Sequence, residues 1–193
     1  LHAQIAICGR MFLDLLVMIS INQTRFFDTP KNKWDDAMKE VWDIQVKQVK
    51  QDIATNFSVY LGLRDAAKLS NVILDPTIKW EMDTSLNCTT NENHEKLIQI
   101  FVADGDKDME NILRVLLHQI YDIFAIARAS HPSEDHIQSF REQCVVFSDS
   151  LNESFPHLSW PWYMHYVISH GQEMMEALGS IGLFNEQSSE HCN

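Results

Sequence analysis

The sequence predicts an all-α fold. Apolar residues recur at steps of three and four along most of the chain, the period of a helix with one buried face. No stretch alternates apolar and polar residues over the length of a half-buried strand. Gly and Pro number 6 and 5 in 193 residues, too few for the dense turns of an all-β sandwich. The length suits one domain with a single core. A hydrophobic fraction of 45% can fill that core, which excludes a disordered or collagen-like chain.

Ala3 to Ile21 is strongly apolar and reads as a buried helix. Its best apolar run, Met11 to Ile21, is interrupted by Asp14 and is too short to span a bilayer. Gln23 to Lys33 reads as a turn broken by Pro30. Trp34 to Asn56 is the clearest amphipathic helix. Trp34, Met38, Val41, Trp42, Ile44 or Gln45, Val49 and Ile53 form its apolar stripe, while Lys39, Asp43, Lys47 and Lys50 occupy other faces. Val59 to Asn71 predicts a shorter helix, and the polar, Thr- and Asn-rich stretch Asp75 to Glu95 a loop.

His94 to Val102 predicts a short helix. In Asp104-Gly-Asp-Lys-Asp the acidic residues start the next helix rather than a calcium loop, because the twelve-residue ligand ladder and its closing Glu are missing. That helix runs from Lys107 to Ala129 with Ile112, Val115, Leu116, Ile120, Ile123 and Phe124 as its stripe, and Pro132 breaks it. Ser133, with Asp135 and His136, opens another helix to about Glu153. Pro156 and Pro161 frame a Trp160-Pro-Trp162 turn. A helix then runs from Tyr163 to His170, with Gly171 as a left-handed stop. Gln172 to Leu178 is a further short helix closed by Gly179. After the Ser180-Ile-Gly turn, Leu183 to Asn193 begins a last helix.

The formal charge is −12, and residues 97–193 carry −10 of it, with no Lys or Arg after Arg141. This weighs against a free-standing nucleic-acid binder, which needs clustered cations. The acidic half is either a solvated face or a region that meets metal ions or a basic partner. Cys8, Cys88, Cys144 and Cys192 are scattered without a Cys-x-x-Cys pair, which suggests free thiols in a reducing compartment. Asn22, Asn56, Asn87 and Asn152 begin glycosylation-type triplets, which keeps a secreted binding protein among the alternatives. The chain opens at Leu1 directly in an apolar stretch and is expected to be a piece of a larger protein.

No nucleophile elbow, P-loop, dinucleotide-binding glycine pattern or His-Glu-x-x-His is present. His165 and His170 stand five residues apart. On an uninterrupted α-helix they would lie about 140° apart, too far round to share a metal easily. A helix ending at Gly171 would let His170 swing back, as in the His-x3–5-His arm of zinc modules. Two histidines alone close no zinc site, so by residue types this pair is open between a half-built site and two unconnected side chains.

The C-terminal string is more specific. His165-Tyr-Val-Ile-Ser-His170 is followed by Gly-Gln-Glu-Met-Met-Glu-Ala-Leu, then Gly179-Ser-Ile-Gly182, then Glu190-His-Cys-Asn193. This resembles the catalytic subunit of the V(D)J recombinase and the ProtoRAG-type and Transib transposases. The likeness extends more weakly to Phe147 to Phe155, to Leu113 to Pro132, to Leu1-His2 with Ile5, and to Lys33-Trp34 with its amphipathic helix. Only about residues 160–193 are specific.

The resemblance implies the helical insertion domain of a DDE, RNase H-like recombinase whose catalytic β-sheet is not contained in this chain. Residues 1–178 would be the zinc-associated insertion, and 179–193 the start of the catalytic helix. Glu190 matches the third carboxylate of the Asp-Asp-Glu triad, a ligand for catalytic Mg²⁺ or Mn²⁺, and Asn193 a supporting position beside it. His165 and His170 match the two histidines of a structural Zn²⁺ site whose Cys pair lies upstream. The implied activity is DNA nicking and joining of 3′-hydroxyl ends by metal-dependent transesterification in the intact nuclear protein, with this fragment inactive alone. The implied partners are DNA and a second copy in a homodimer, with room for an accessory subunit and no membrane. Gln4 departs from the family string, which has Asp there. DNA contact within this chain would rest on the Lys31 to Lys68 region. The rivals are a domesticated, non-catalytic interaction module derived from such a transposase, and an unrelated helical binding protein.

Overall fold

The computed structural model describes residues 5–57, 65–74, 78–79, 90–129 and 131–178. They form an all-α domain built around the most apolar segment. A widened π-type turn, Ile5–Met11, leads into α1, Phe12–Ile21. Ile7, Cys8, Phe12, Leu15, Leu16 and Val17 are fully buried, so this segment is sheathed on all sides, as its near-continuous apolarity requires. Asn22 ends α1 in the left-handed conformation, φ 47°, and its N–H bonds the Met18 carbonyl. Asn is one of the few side chains that tolerates this conformation.

The expected turn over Gln23 to Lys33 holds two short pieces, α2 (Thr24–Asp28) and a 3₁₀ turn at Lys31–Lys33, on either side of Pro30. The long amphipathic helix α3, Asp36–Phe57, packs on α1 through Met38, Trp42, Val49 and Ile53. Trp34 precedes it and packs against Phe26 and Trp42, with ring centroids 5.2 and 4.9 Å away, while its indole N–H donates to the Thr29 carbonyl at 2.9 Å. Ile44, one of two residues expected at the same step of the stripe, stands 60% exposed on α3.

Helix α4, Asp65–Leu74, lies against the Ile5–Met11 turn. The expected loop after it contains a two-residue antiparallel pair, β1 (Ile78–Lys79) with β2 (Thr90–Asn91), too short to alter the fold class. Helix α5, Glu92–Phe101, is capped by Asn91, whose side chain accepts from the N–H groups of Asn93 and His94. Gly105, at φ +85°, turns the chain into α6, Lys107–Ala127. Asp106 caps α6 by accepting from the Met109 N–H at 3.1 Å, the role expected of the acidic run. The stripe of α6 is rotated from the expected one: Leu113, Leu116, Leu117, Ile120, Ile123 and Phe124 are buried, and Val115 is 47% exposed.

Helix α7, Glu134–Ser154, opens at Ser133 as expected, through a reciprocal cap in which Ser133 and His136 satisfy each other's backbone N–H. It pairs with α6 and sends Phe140, Cys144, Phe147 and Leu151 into the core, where Phe147 stacks on Phe12 of α1 at 6.5 Å. Arg114 of α6 grips Glu95 of α5 through two hydrogen bonds of 2.7 and 2.9 Å.

After the Pro161 turn the chain forms α8, Trp162–His165, then a π-type turn, Tyr166–His170, then α9, Gly171–Leu178. Here the expectation of a stop at Gly171 is corrected. Gly171 is right-handed, φ −59° and ψ −42°, and buried, so the three segments run on as one helix. Among the described residues no helix is long and apolar enough to cross a membrane.

Candidate metal centre

The helix from Trp162 to Leu178 lies on α7. Met164, Gly171 and Met175 are buried, and Val167 and Ile168 pack partly against the core. The same helix leaves Trp162, Tyr166, Met174 and Leu178 exposed, with Trp162 at 61%. Each stands four residues from the next or, across His170, eight, so they share one side with that histidine.

His165 and His170 flank the widened turn. Their ring centroids are 5.1 Å apart, with the rings at 86°. An i→i+5 turn brings residue i+5 back over residue i, where an ordinary α-helical turn would carry it past. The turn therefore does what a helix stop at Gly171 was expected to do, without ending the helix. Tyr166 lies between the two, 6.2 Å from the His165 ring and 5.9 Å from that of His170.

The turn is anchored from α7. The buried Cys144 thiol lies 3.9 Å from the Val167 carbonyl, a long sulfur contact to the backbone inside the widened turn. Burial pushes this thiol up to about 12, so it stays protonated and able to donate. Burial likewise pushes the Cys8 thiol well above its ordinary range. Both cysteines are free; Cys88 and Cys192 lie outside the described residues.

Each imidazole is held at the same nitrogen. His165 Nδ1 lies 3.2 Å from the Ser169 hydroxyl, and His170 Nδ1 lies 3.2 Å from a Glu173 carboxylate oxygen. Neither Nε2 has a hydrogen-bond partner among the described residues. Two imidazoles oriented through Nδ1 suit half of a tetrahedral zinc shell. Among the described residues no group of three or more His, Cys, Asp or Glu side chains is arranged to hold a metal. Glu190 and Asn193 lie outside the described residues.

The basic stretch expected to meet DNA is partly engaged within the fold. Lys31 lies 3.6 Å from Asp14 and 4.4 Å from the Trp42 ring centroid, and Lys39 pairs with Asp36. Desolvation raises the pKa of Asp14, and the Lys31 charge partly opposes it. An open groove of about 450 Å³ between α7 and α9 is lined by Glu134, Asp135, Ile137, Gln138, Gln172 and Glu176, with no cation among them.

Residues 21–179, most of the chain and both histidines, match the family model described as the Recombination-activation protein 1 (RAG1) ZnH2 domain. The chain belongs to the RAG1 ZnH2 domain family. The match takes in the two histidines and the more weakly similar segments back through α3, and it ends before Glu190. No curated protein matches the chain. Within the RAG1 ZnH2 fold, Ser169, Glu173 and Cys144 are the side chains that reading the sequence missed. The i+4 and i+3 steps from His165 and His170 would have pointed to the first two.

Proposed function

We propose that this chain is the zinc-associated helical part of a DNA recombinase or transposase. The juxtaposition of His165 and His170 across a widened turn, in a chain of the RAG1 ZnH2 domain family, carries this reading. The two imidazoles supply two of four ligands to a structural Zn²⁺, and a Cys pair elsewhere in the intact protein supplies the others. When bound, the zinc ties two distant parts of a polypeptide together and so contributes directly to folding. The exposed flank of Trp162, Tyr166, Met174 and Leu178 supports the reading, because a surface beside a shared metal is covered once the remaining ligands arrive.

The finer assignments follow from the resemblance of residues 179–193. Glu190 is the third carboxylate of a catalytic site for Mg²⁺ or Mn²⁺, ions that would supply activation of the attacking oxygen and stabilisation of the leaving one in phosphoryl transfer. Asn193 supports it. In this reading the intact protein nicks DNA and joins 3′-hydroxyl ends in the nucleus, as a homodimer with or without an accessory subunit, and this chain alone cleaves nothing. The domesticated, non-catalytic module is the second reading, favoured by the −12 charge and the internally paired Lys31 and Lys39.

The deciding experiment is elemental analysis of the longer protein together with a strand-transfer assay. Zinc present in the parent and lost in a His165→Ala/His170→Ala variant supports the metal assignment. Zinc retained in that variant removes it. Loss of strand transfer in Glu190→Gln with zinc content unchanged supports the catalytic assignment, whereas a parent that neither nicks nor joins DNA establishes the non-catalytic module.

A further inference from the structure

We propose that Glu173 is a positioning residue that holds His170 as the Nδ1–H tautomer, so that Nε2 is the nitrogen left to accept a metal. Its link to metal rests on the zinc reading above; its effect on the imidazole does not. Glu173 lies one turn after His170, and its carboxylate oxygen is 3.2 Å from Nδ1. An ionised carboxylate only accepts, so at neutral imidazole this contact requires the proton on Nδ1 and the lone pair on Nε2. A carboxylate behind a metal-binding imidazole fixes ring and tautomer and raises the basicity of the ligating nitrogen. Ser169 stands in the same relation to His165, at 3.2 Å from Nδ1. A hydroxyl can donate or accept, so Ser169 orients its ring without choosing the tautomer. The two histidines are therefore not equivalent: His170 is committed in advance and His165 adapts.

Other roles for Glu173 fit the geometry less well. It is not part of the acidic groove lining, which is formed by Glu134, Asp135 and Glu176. It lies on the exposed side of α9, with its side chain 75% exposed. A merely structural helix pair would leave tautomer and metal affinity unmoved when removed.

The test uses long-range proton–nitrogen NMR correlations on this chain at alkaline pH, where imidazoles are neutral, and competitive zinc titration on the longer protein. In the parent, His170 should read as Nδ1–H. Glu173→Ala should return it to a mixture and weaken zinc binding about tenfold, with helicity unchanged. Glu173→Gln can accept from Nδ1–H or donate to Nδ1, so it should hold the ring, keep the tautomer only in part and lose less affinity. An unaltered His170 tautomer in Glu173→Ala overturns the proposal. Equal, near-complete zinc loss in Glu173→Gln and Glu173→Ala also overturns it, because Glu173 would then be a ligand. A parent that takes up no zinc yet shows the tautomer change sinks the zinc reading and leaves the positioning role standing.

Discussion

The Cys144 thiol of α7 meets the Val167 carbonyl of the His165–His170 turn at 3.9 Å. A buried side chain of one helix is thereby coupled to the backbone of another at the point where the helical ladder widens. Backbone carbonyls in such turns need partners, and a protonated thiol is a weak but compatible donor.

Cys144→Ala should lower stability by about 1–2 kcal/mol through lost packing and a small cavity, read by urea unfolding. It should also broaden the ring contact between His165 and His170. In the parent the Cys144 thiol should resist a disulfide reagent at neutral pH until the protein unfolds, since burial keeps it from forming thiolate. Rapid labelling of native Cys144 would contradict the packing described.

Stability should fall as pH falls from about 6.5 to about 4. His94 is buried, donates through Nε2 to the Ile73 carbonyl at 2.7 Å, and has its pKa pushed down to about 4, chiefly by desolvation. The unfolded chain binds this proton near the ordinary value of 6.5 and the folded chain only near 4, so the unfolded state gains the proton first. The loss amounts to about 3 kcal/mol across the window and is absent above it. Asp14 and Asp122 work in the opposite sense: burial raises both above 3.8, so each favours the folded state as acid protonates it. Urea midpoints against pH, for the parent and for His94→Gln, would show the slope flattening in the variant.

Phe147→Ala should cost about 3–5 kcal/mol, because its ring is fully buried against Phe12 where α7 meets the central α1. Phe147→Leu, which refills most of the volume, should cost much less. Thermal unfolding of the two variants separates packing from local helix propensity, which Ala would improve.

The Arg114–Glu95 pair should show a coupling of up to about 1 kcal/mol in a double-mutant cycle, falling with added salt. The geometry is two-pronged but the groups are partly exposed, so the coupling stays modest. Its hydrogen bonds to Glu95 raise the Arg114 pKa, which keeps the guanidinium charged throughout the accessible range.

Much of this architecture could be read from spacing. The caps at Asp106 and Ser133 are local chemistry, and both open the helices expected of them. The buried Met38, Trp42, Val49 and Ile53 follow directly from the helical period. Periodicity gave less on where a stripe is centred: Val115 and Ile44 are apolar yet face outwards, since burial is decided by which neighbour packs there. Gly171 was misjudged because a glycine permits a left-handed stop without requiring one, and burial on α7 holds it helical. The histidine pair was legible as a spacing of five, but its closeness depends on a widened turn that no residue pattern announces. The carboxylate reading of Glu190 rests on the resemblance alone.

The widened turn also stores one residue more than an ordinary helical turn would hold. Deleting one residue between Tyr166 and Ser169 would let it close to an ordinary spiral, in which the fourth residue takes the place the fifth holds now. Met175 would keep its seat in the core, and His165 and His170 would stay neighbours at a spacing of four. The surplus residue is thus slack in the spiral, which can be taken up without re-aiming the helix that follows.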